Sequence, residues 1–206
     1  MYYGSAVQID VEEYLKGFAS VARESGFSRE VLAEVDGHEI PAFVRRFEGA
    51  PRVYVSSGMH GDEPAGPLAL KELLEDGLFE TEIEWMLCPL MNPTGVSMAS
   101  RENKQGLDLN RDYLRRSSAE VAGHVRWLEK QPVPDVFLSL HEDWESTGFY
   151  LYEIQKGEMS LISEKEDSKF TIIFDTEVFP YLWYFASYGG FLDHYTAVLE
   201  PATTMP

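Results

Sequence analysis

Two side chains able to ligate a metal ion stand three positions apart in Ser57-Gly58-Met59-His60-Gly61-Asp62-Glu63. An imidazole nitrogen and a carboxylate oxygen at that spacing can reach one tetrahedral cation and leave room for a third protein ligand and a water, as a catalytic zinc requires. The same H-x-x-E pair also suits a plainer arrangement, an exposed loop histidine beside a helix-starting acid. Two more candidates stand where apolar runs end: His141 after residues 136–140, and Glu200 after 196–199. Between them, Arg101, Asn103, Asn110 and Arg111 make one loop more polar than a simple connection needs.

These side chains need a scaffold. Residues 52–56 form a more uniformly apolar run than the segments before it, as expected of a strand covered on both faces. The small residues that follow predict a tight turn into a helix over 64–76, with Pro64 in its first turn and Gly77 as its stop. Upstream, residues 7–25 place Val11, Tyr14, Leu15, Phe18, Ala19 and Ala22 at helical spacing. Runs 31–35 and 40–47 flank the turn dipeptide Asp36-Gly37 and predict a hairpin. Downstream the pattern predicts a strand over 83–88, a loop over 89–95 rich in turn formers, and a helix over 117–130 capped by Ser117 or Ser118. A strand over 136–140 follows, then strands near 149–154, 171–174 and 196–199, with a charged helix or loop at 158–166. Strands interleaved with helices imply an α/β fold with a mixed, mainly parallel twisted sheet, and functional groups then gather beyond the carboxyl ends of the strands. His60, His141 and Glu200 all meet that condition.

Composition sets further bounds. The 206 residues are enough for a single domain with one sizeable core. Lys plus Arg number 17 against 35 Asp plus Glu, a formal net charge of -18, which argues against binding to nucleic-acid backbones or anionic membrane. The one cysteine, Cys88, excludes an intramolecular disulfide or a thiolate cluster within the chain and reads as a small core residue. No run approaches membrane-spanning length, and the opening residues lack a basic segment followed by an apolar one, so a soluble cytoplasmic protein is expected. His38 in the hairpin turn and His124 on the second long helix read as surface groups. His194 precedes the last expected strand instead of following one, and is left out of the ligand set.

In order along the chain, G-x-H-G-x-E (Gly58 to Glu63) and R-x-N-x-x-G-x-D-L-N-R (Arg101 to Arg111), with His141 and Glu200, resemble the zinc carboxypeptidase superfamily. That group joins carboxypeptidase A-like peptidases with aspartoacylase and succinylglutamate desuccinylase. The resemblance runs from His60 to Glu200 and implies the phosphorylase/hydrolase-like version of the α/β fold. It implies one zinc ion per chain, with His60, Glu63 and His141 as ligands. Arg101 is similar in position to the arginine that polarises the scissile carbonyl. Asn110 and Arg111 resemble the pair that grips a substrate carboxylate, a task suited to a planar guanidinium fork. Asp108 resembles the acid that hydrogen-bonds the far nitrogen of the first histidine ligand. Glu200 is placed like the general base and acid, taking a proton from metal-activated water and returning it to the leaving nitrogen.

The sequence departs from the family at two points. Its Asn-Pro-Asp-Gly loop reads Asn92-Pro93-Thr94-Gly95, and Tyr181, Tyr184, Tyr188 and Tyr195 compete for the place of the peptidases' mobile tyrosine. The implied activity is cleavage of an amide bond in a peptide or peptide-like substrate with a free carboxylate. One alternative is an N-acyl amino acid deacylase of the aspartoacylase or succinylglutamate desuccinylase type. Another is a non-catalytic relative that only binds ligand.

Overall fold

The computed structural model describes residues 8–142 and the backbone of two short strands at 151–152 and 184–186. The expectations for 158–166, 171–174 and 196–199 lie outside the described residues. Helix α1 (Val11–Glu24) starts at Asp10, whose side chain accepts the Glu13 N–H, a cap that supplies one of the helix's orphan donors with an acceptor. Strands β1 (Ser28–Val35) and β2 (His38–Arg45) form the expected hairpin. Asp36 and Gly37 both have positive φ, 51° and 80°, the geometry of a two-residue turn matched to strand twist.

Strand β3 (Arg52–Ser56) leads into α2 (Ala65–Glu75), and β4 (Glu84–Cys88) into a short helix α3 (Pro93–Met98). The turn formers of 89–95 therefore do not make a simple loop. Asn92 caps α3 by accepting the Gly95 N–H, and Pro93 occupies the first helical position, where its missing N–H costs nothing. A single 3₁₀ turn (Leu109–Arg111) precedes α4 (Ala119–Leu128), whose cap is Ser118. Strand β5 (Val136–Ser139) and the short β6 (Leu151–Tyr152) and β7 (Tyr184–Ala186) complete the described elements.

All seven strands join one sheet in the order β1-β2-β4-β3-β5-β7-β6. Its centre is parallel, β4-β3-β5-β7, and antiparallel pairs flank it on both sides, giving the mixed sheet expected. Period-two alternation sends neighbouring residues of the same strand to opposite faces. Ala42, Val44, Tyr54 and Met86 pack with Val121, Val125 and Trp127 of α4, while Phe43, Val55 and Leu87 pack with Phe18 of α1 and Leu70 of α2. Both faces are thus covered, which explains why the middle of β3, Val53 to Val55, is apolar without alternation. Each fully buried side chain of this size contributes about 2 kcal/mol from its removal from water. Among the described residues no helix is long and apolar enough to cross a membrane.

Candidate metal centre

Parallel pairing of β3 with β5 decides where the histidines meet. Ser56 lies beside Ser139, and the Leu140 N–H donates to the Ser56 carbonyl, so the two chains leave the sheet side by side. His60 follows one and His141 the other. The turn carrying His60 is held tightly. Gly58 has φ +64°, and a Cβ on Gly61 would lie 1.9 Å from the Gly95 carbonyl carbon, so α3 crosses the turn at a distance only glycine permits. The Gly61 N–H donates to the Ser100 carbonyl, and Asn92 Nδ2 donates to the Met59 and Arg101 carbonyls at 3.3 and 3.5 Å. Buried Asn92 therefore joins the His60 turn to the arginine loop.

Both imidazoles turn Nδ1 toward the Glu63 carboxylate. His60 Nδ1 is 2.6 Å from Oε1 and His141 Nδ1 is 2.9 Å from Oε2, while the Glu142 N–H also donates to Oε2 at 3.1 Å. The donor atoms of His60, Glu63 and His141 all lie within 4.8 Å of one another, and both histidines are buried. The remaining ring nitrogens have partners of their own: His60 Nε2 donates to Asp108 Oδ1 at 3.2 Å, and His141 Nε2 is 3.3 Å from Ser139 Oγ. Two imidazoles and a carboxylate, with outer hydrogen bonds fixing ring orientation, form a donor set that suits zinc or a similar divalent ion.

Electrostatics favour positive charge at this place. Burial disfavours protonated His60, but hydrogen bonds to Asp108 and Glu63 outweigh it and push the imidazole up to about 9. Burial likewise acts against the Glu63 carboxylate, yet His141 and His60 overcome it and hold the group down to about 2. Asp108 also stays well below the usual carboxylate range: desolvation is outweighed by His60 and then Arg101. Pinned anions around two imidazoles can hold a proton or a metal cation.

Arg101 stands beside this group. Its Nε donates to Asp108 Oδ2 at 3.0 Å, a terminal nitrogen lies 3.5 Å from Glu63 Oε1, and the side chain is 42% exposed, enough to meet a substrate. Asp108 Oδ1 also accepts the Asn110 N–H at 2.9 Å, so one carboxylate orients the first histidine, the arginine and the 3₁₀ turn that presents Asn110 and Arg111. The structure thus gathers His60, Glu63, Arg101, Asp108 and His141 into one contact network and sets Asn110 and Arg111 in the 3₁₀ turn that Asp108 caps. Glu200, His194, Tyr181, Tyr188 and Tyr195 lie outside the described residues, and Tyr184 is seen only as backbone in β7.

Several supporting residues carry no motif of their own. Thr94, where the family has an acid, accepts the Lys104 N–H at 3.1 Å and so still braces the arginine loop. Asn103 accepts the Gln105 and Leu107 N–H groups and donates to buried Glu120 at 3.0 Å, tying that loop to α4. The expectation of a surface His124 is corrected: the side chain has no exposure and lies between the hydroxyls of Tyr54 and Tyr113, at 2.6 and 2.7 Å. Its partners come from distant parts of the chain, so helical spacing alone gave no sign of them. Glu142 is half-buried, with a carboxylate oxygen accepting the Ala65 N–H at the start of α2.

Solved structures share this architecture. A "putative metallopeptidase" from Shewanella denitrificans OS217 matches at 22% identity and TM-score 0.70 over 91% of this chain and 90% of its own. A "putative metallopeptidase" from Shewanella baltica OS155 matches at 27% identity and TM-score 0.65, over 73% of this chain and 62% of its own. A metallo-carboxypeptidase from Pseudomonas aeruginosa, in complex with (2-guanidinoethylmercapto)succinic acid, matches at 24% identity and TM-score 0.56, over 65% of this chain and 41% of its own. The chain thus spans nearly all of the first neighbour but less than two thirds of the other two. No curated protein sequence matches. The family model for the succinylglutamate desuccinylase/aspartoacylase catalytic domain matches residues 49–153, just over half of the 206 residues, and this stretch contains His60, Glu63, Arg101, Asp108 and His141. The chain belongs to that family, and its fold is carboxypeptidase-like.

Proposed function

We propose that this protein is a zinc-dependent hydrolase that cleaves an amide bond in a small peptide or peptide-like substrate bearing a free carboxylate. The observation that carries the reading is the convergence of His60, Glu63 and His141 donor atoms within 4.8 Å, with Arg101 at 3.5 Å from the Glu63 carboxylate. His60, Glu63 and His141 would hold the ion. When bound, zinc supplies Lewis acidity toward water and toward a carbonyl oxygen. Asp108 keeps the His60 ring turned with Nδ1 inward, and Arg101 offers a guanidinium to negative charge that develops on the carbonyl oxygen. Asn110 and Arg111 bind the substrate carboxylate, which orients the amide bond. Glu200 removes a proton from the attacking water and delivers it to the departing nitrogen, so the chain needs no covalent intermediate.

Two substrate classes follow from different observations. Structural neighbours that include a metallo-carboxypeptidase with a bound dicarboxylate support the peptidase reading. The family match over 49–153 favours the second reading, removal of an acyl group from an N-acyl amino acid. Incubation with a panel of C-terminal dipeptides and a panel of N-acyl amino acids, with products read by mass spectrometry, separates them. Glu200→Gln is expected to keep zinc while losing activity by orders of magnitude. Wild-type turnover in that variant would remove Glu200 from the mechanism.

A further inference from the structure

The 3₁₀ turn that presents Asn110 and Arg111 is only three residues long, too short to hold its own position, so its anchors decide where the guanidinium points. Four anchors surround it. Asp108 ties its start to His60 Nε2 at 3.2 Å, and Leu109 is fully buried in the cluster that also contains Tyr54. Asp112 accepts from the backbone N–H and hydroxyl of both Ser117 and Ser118. Tyr113 reaches His124 Nδ1 at 2.7 Å, and the other ring nitrogen meets the Tyr54 hydroxyl at 2.6 Å. Asn110 stays half-buried and Arg111 exposed.

The histidine link has a definite direction. Burial holds the His124 imidazole down to about 3, so the ring is neutral, with one N–H and one bare nitrogen. One tyrosine must donate and the other accept, and neither partner can leave without stranding a buried polar atom. Tyr54 sits on β3, which is paired on both sides and runs on into the His60 turn. The start of the Asn110–Arg111 turn is therefore tied to His60 and its end, through His124, to Tyr54, so a single strand sets both attachment points.

We infer that Tyr113 and His124 are a positioning pair, which fixes Asn110 and Arg111 relative to the metal centre so that they meet a substrate carboxylate. The inference rests on the carboxylate-gripping role proposed for Asn110 and Arg111. The hydrogen bonds described for Tyr113 and His124 join them to each other and to Tyr54, and the pair acts through the turn.

Calorimetric binding of (2-guanidinoethylmercapto)succinic acid and of its bis-carboxamide to the zinc-loaded protein tests the pair without requiring turnover. Arg111→Ala identifies the grip, Tyr113→Phe and His124→Gln remove the link, and Tyr14→Phe is the control. Tyr14 is a buried tyrosine with a hydrogen bond to the Pro67 carbonyl, and lies in the other core cluster. Tyr113→Phe is expected to weaken binding of the dicarboxylate about five- to tenfold, the worth of roughly one hydrogen bond, with carboxamide binding and zinc content unchanged. Tyr14→Phe should leave both affinities at wild-type values. A loss in Arg111→Ala with none in Tyr113→Phe, or an equal loss for the dicarboxylate and the carboxamide, overturns the positioning role and leaves the grip standing. No loss in Arg111→Ala overturns the grip and the pair together.

Discussion

Asp108 shows how much one side chain can coordinate. Its two oxygens serve His60, Arg101 and the Asn110 N–H, so the proposed metal ligation, carbonyl polarisation and substrate orientation would all depend on one carboxylate. Asp108→Asn keeps the shape but removes the charge that favours His60 with Nδ1 facing inward. Zinc affinity should fall about 10- to 100-fold, measured by competition with a fluorescent chelator. Unchanged affinity would mean that the Asp108 bond to His60 does not tune the ligand. Much of this is legible in the sequence because His60, Glu63, Arg101, Asp108 and His141 fall in the stretches that resemble the zinc carboxypeptidase superfamily. The roles of Asn92, Asn103 and His124 are not legible there, since each works through partners that only the folded chain brings near.

Elements explain why the site has little slack. The strands and long helices followed from period and caps, and β3 matched its expected residues 52–56 because a doubly covered strand has a clear signature. Helix α3 is masked in the sequence because Asn92-Pro93-Thr94-Gly95 is rich in turn formers, although a capping asparagine followed by proline is itself a helix-start signal. That helix crosses the His60 turn at Gly61 and Gly95. Gly61→Ala would force a methyl to 1.9 Å from backbone that cannot retreat. Denaturant titration should show a loss of ~3 kcal/mol, with a melting temperature lower by about 10 °C. Wild-type stability in Gly61→Ala would show that α3 does not press on the turn.

Over the whole molecule, the two buried histidine environments give opposite pH dependences. His124 has a folded value lowered to about 3, so as pH falls below its unfolded value the unfolded chain takes up a proton that the native chain refuses. Its contribution weakens stability toward acid at about 1.4 kcal/mol per pH unit. His60 is raised to about 9, so its contribution in metal-free protein is complete below its unfolded value and disappears as pH rises through 9. Glu63, lowered to about 2, contributes above its unfolded value and loses that contribution as pH falls toward 2. Urea denaturation between about pH 5 and 6 falls between the His60 and Glu63 windows, and a positive slope there should flatten in His124→Gln. An equal slope in both proteins would contradict a neutral, buried His124.

The proposed activity depends on a divalent ion held between two neighbouring parallel strands. Metal analysis of the purified wild-type protein and of His141→Ala tests this most directly. The expected result is a single zinc ion per wild-type chain and a loss of that ion in the variant. A wild-type chain that takes up no divalent metal under saturating conditions, or a His141→Ala chain that binds zinc as tightly as wild type, would contradict it.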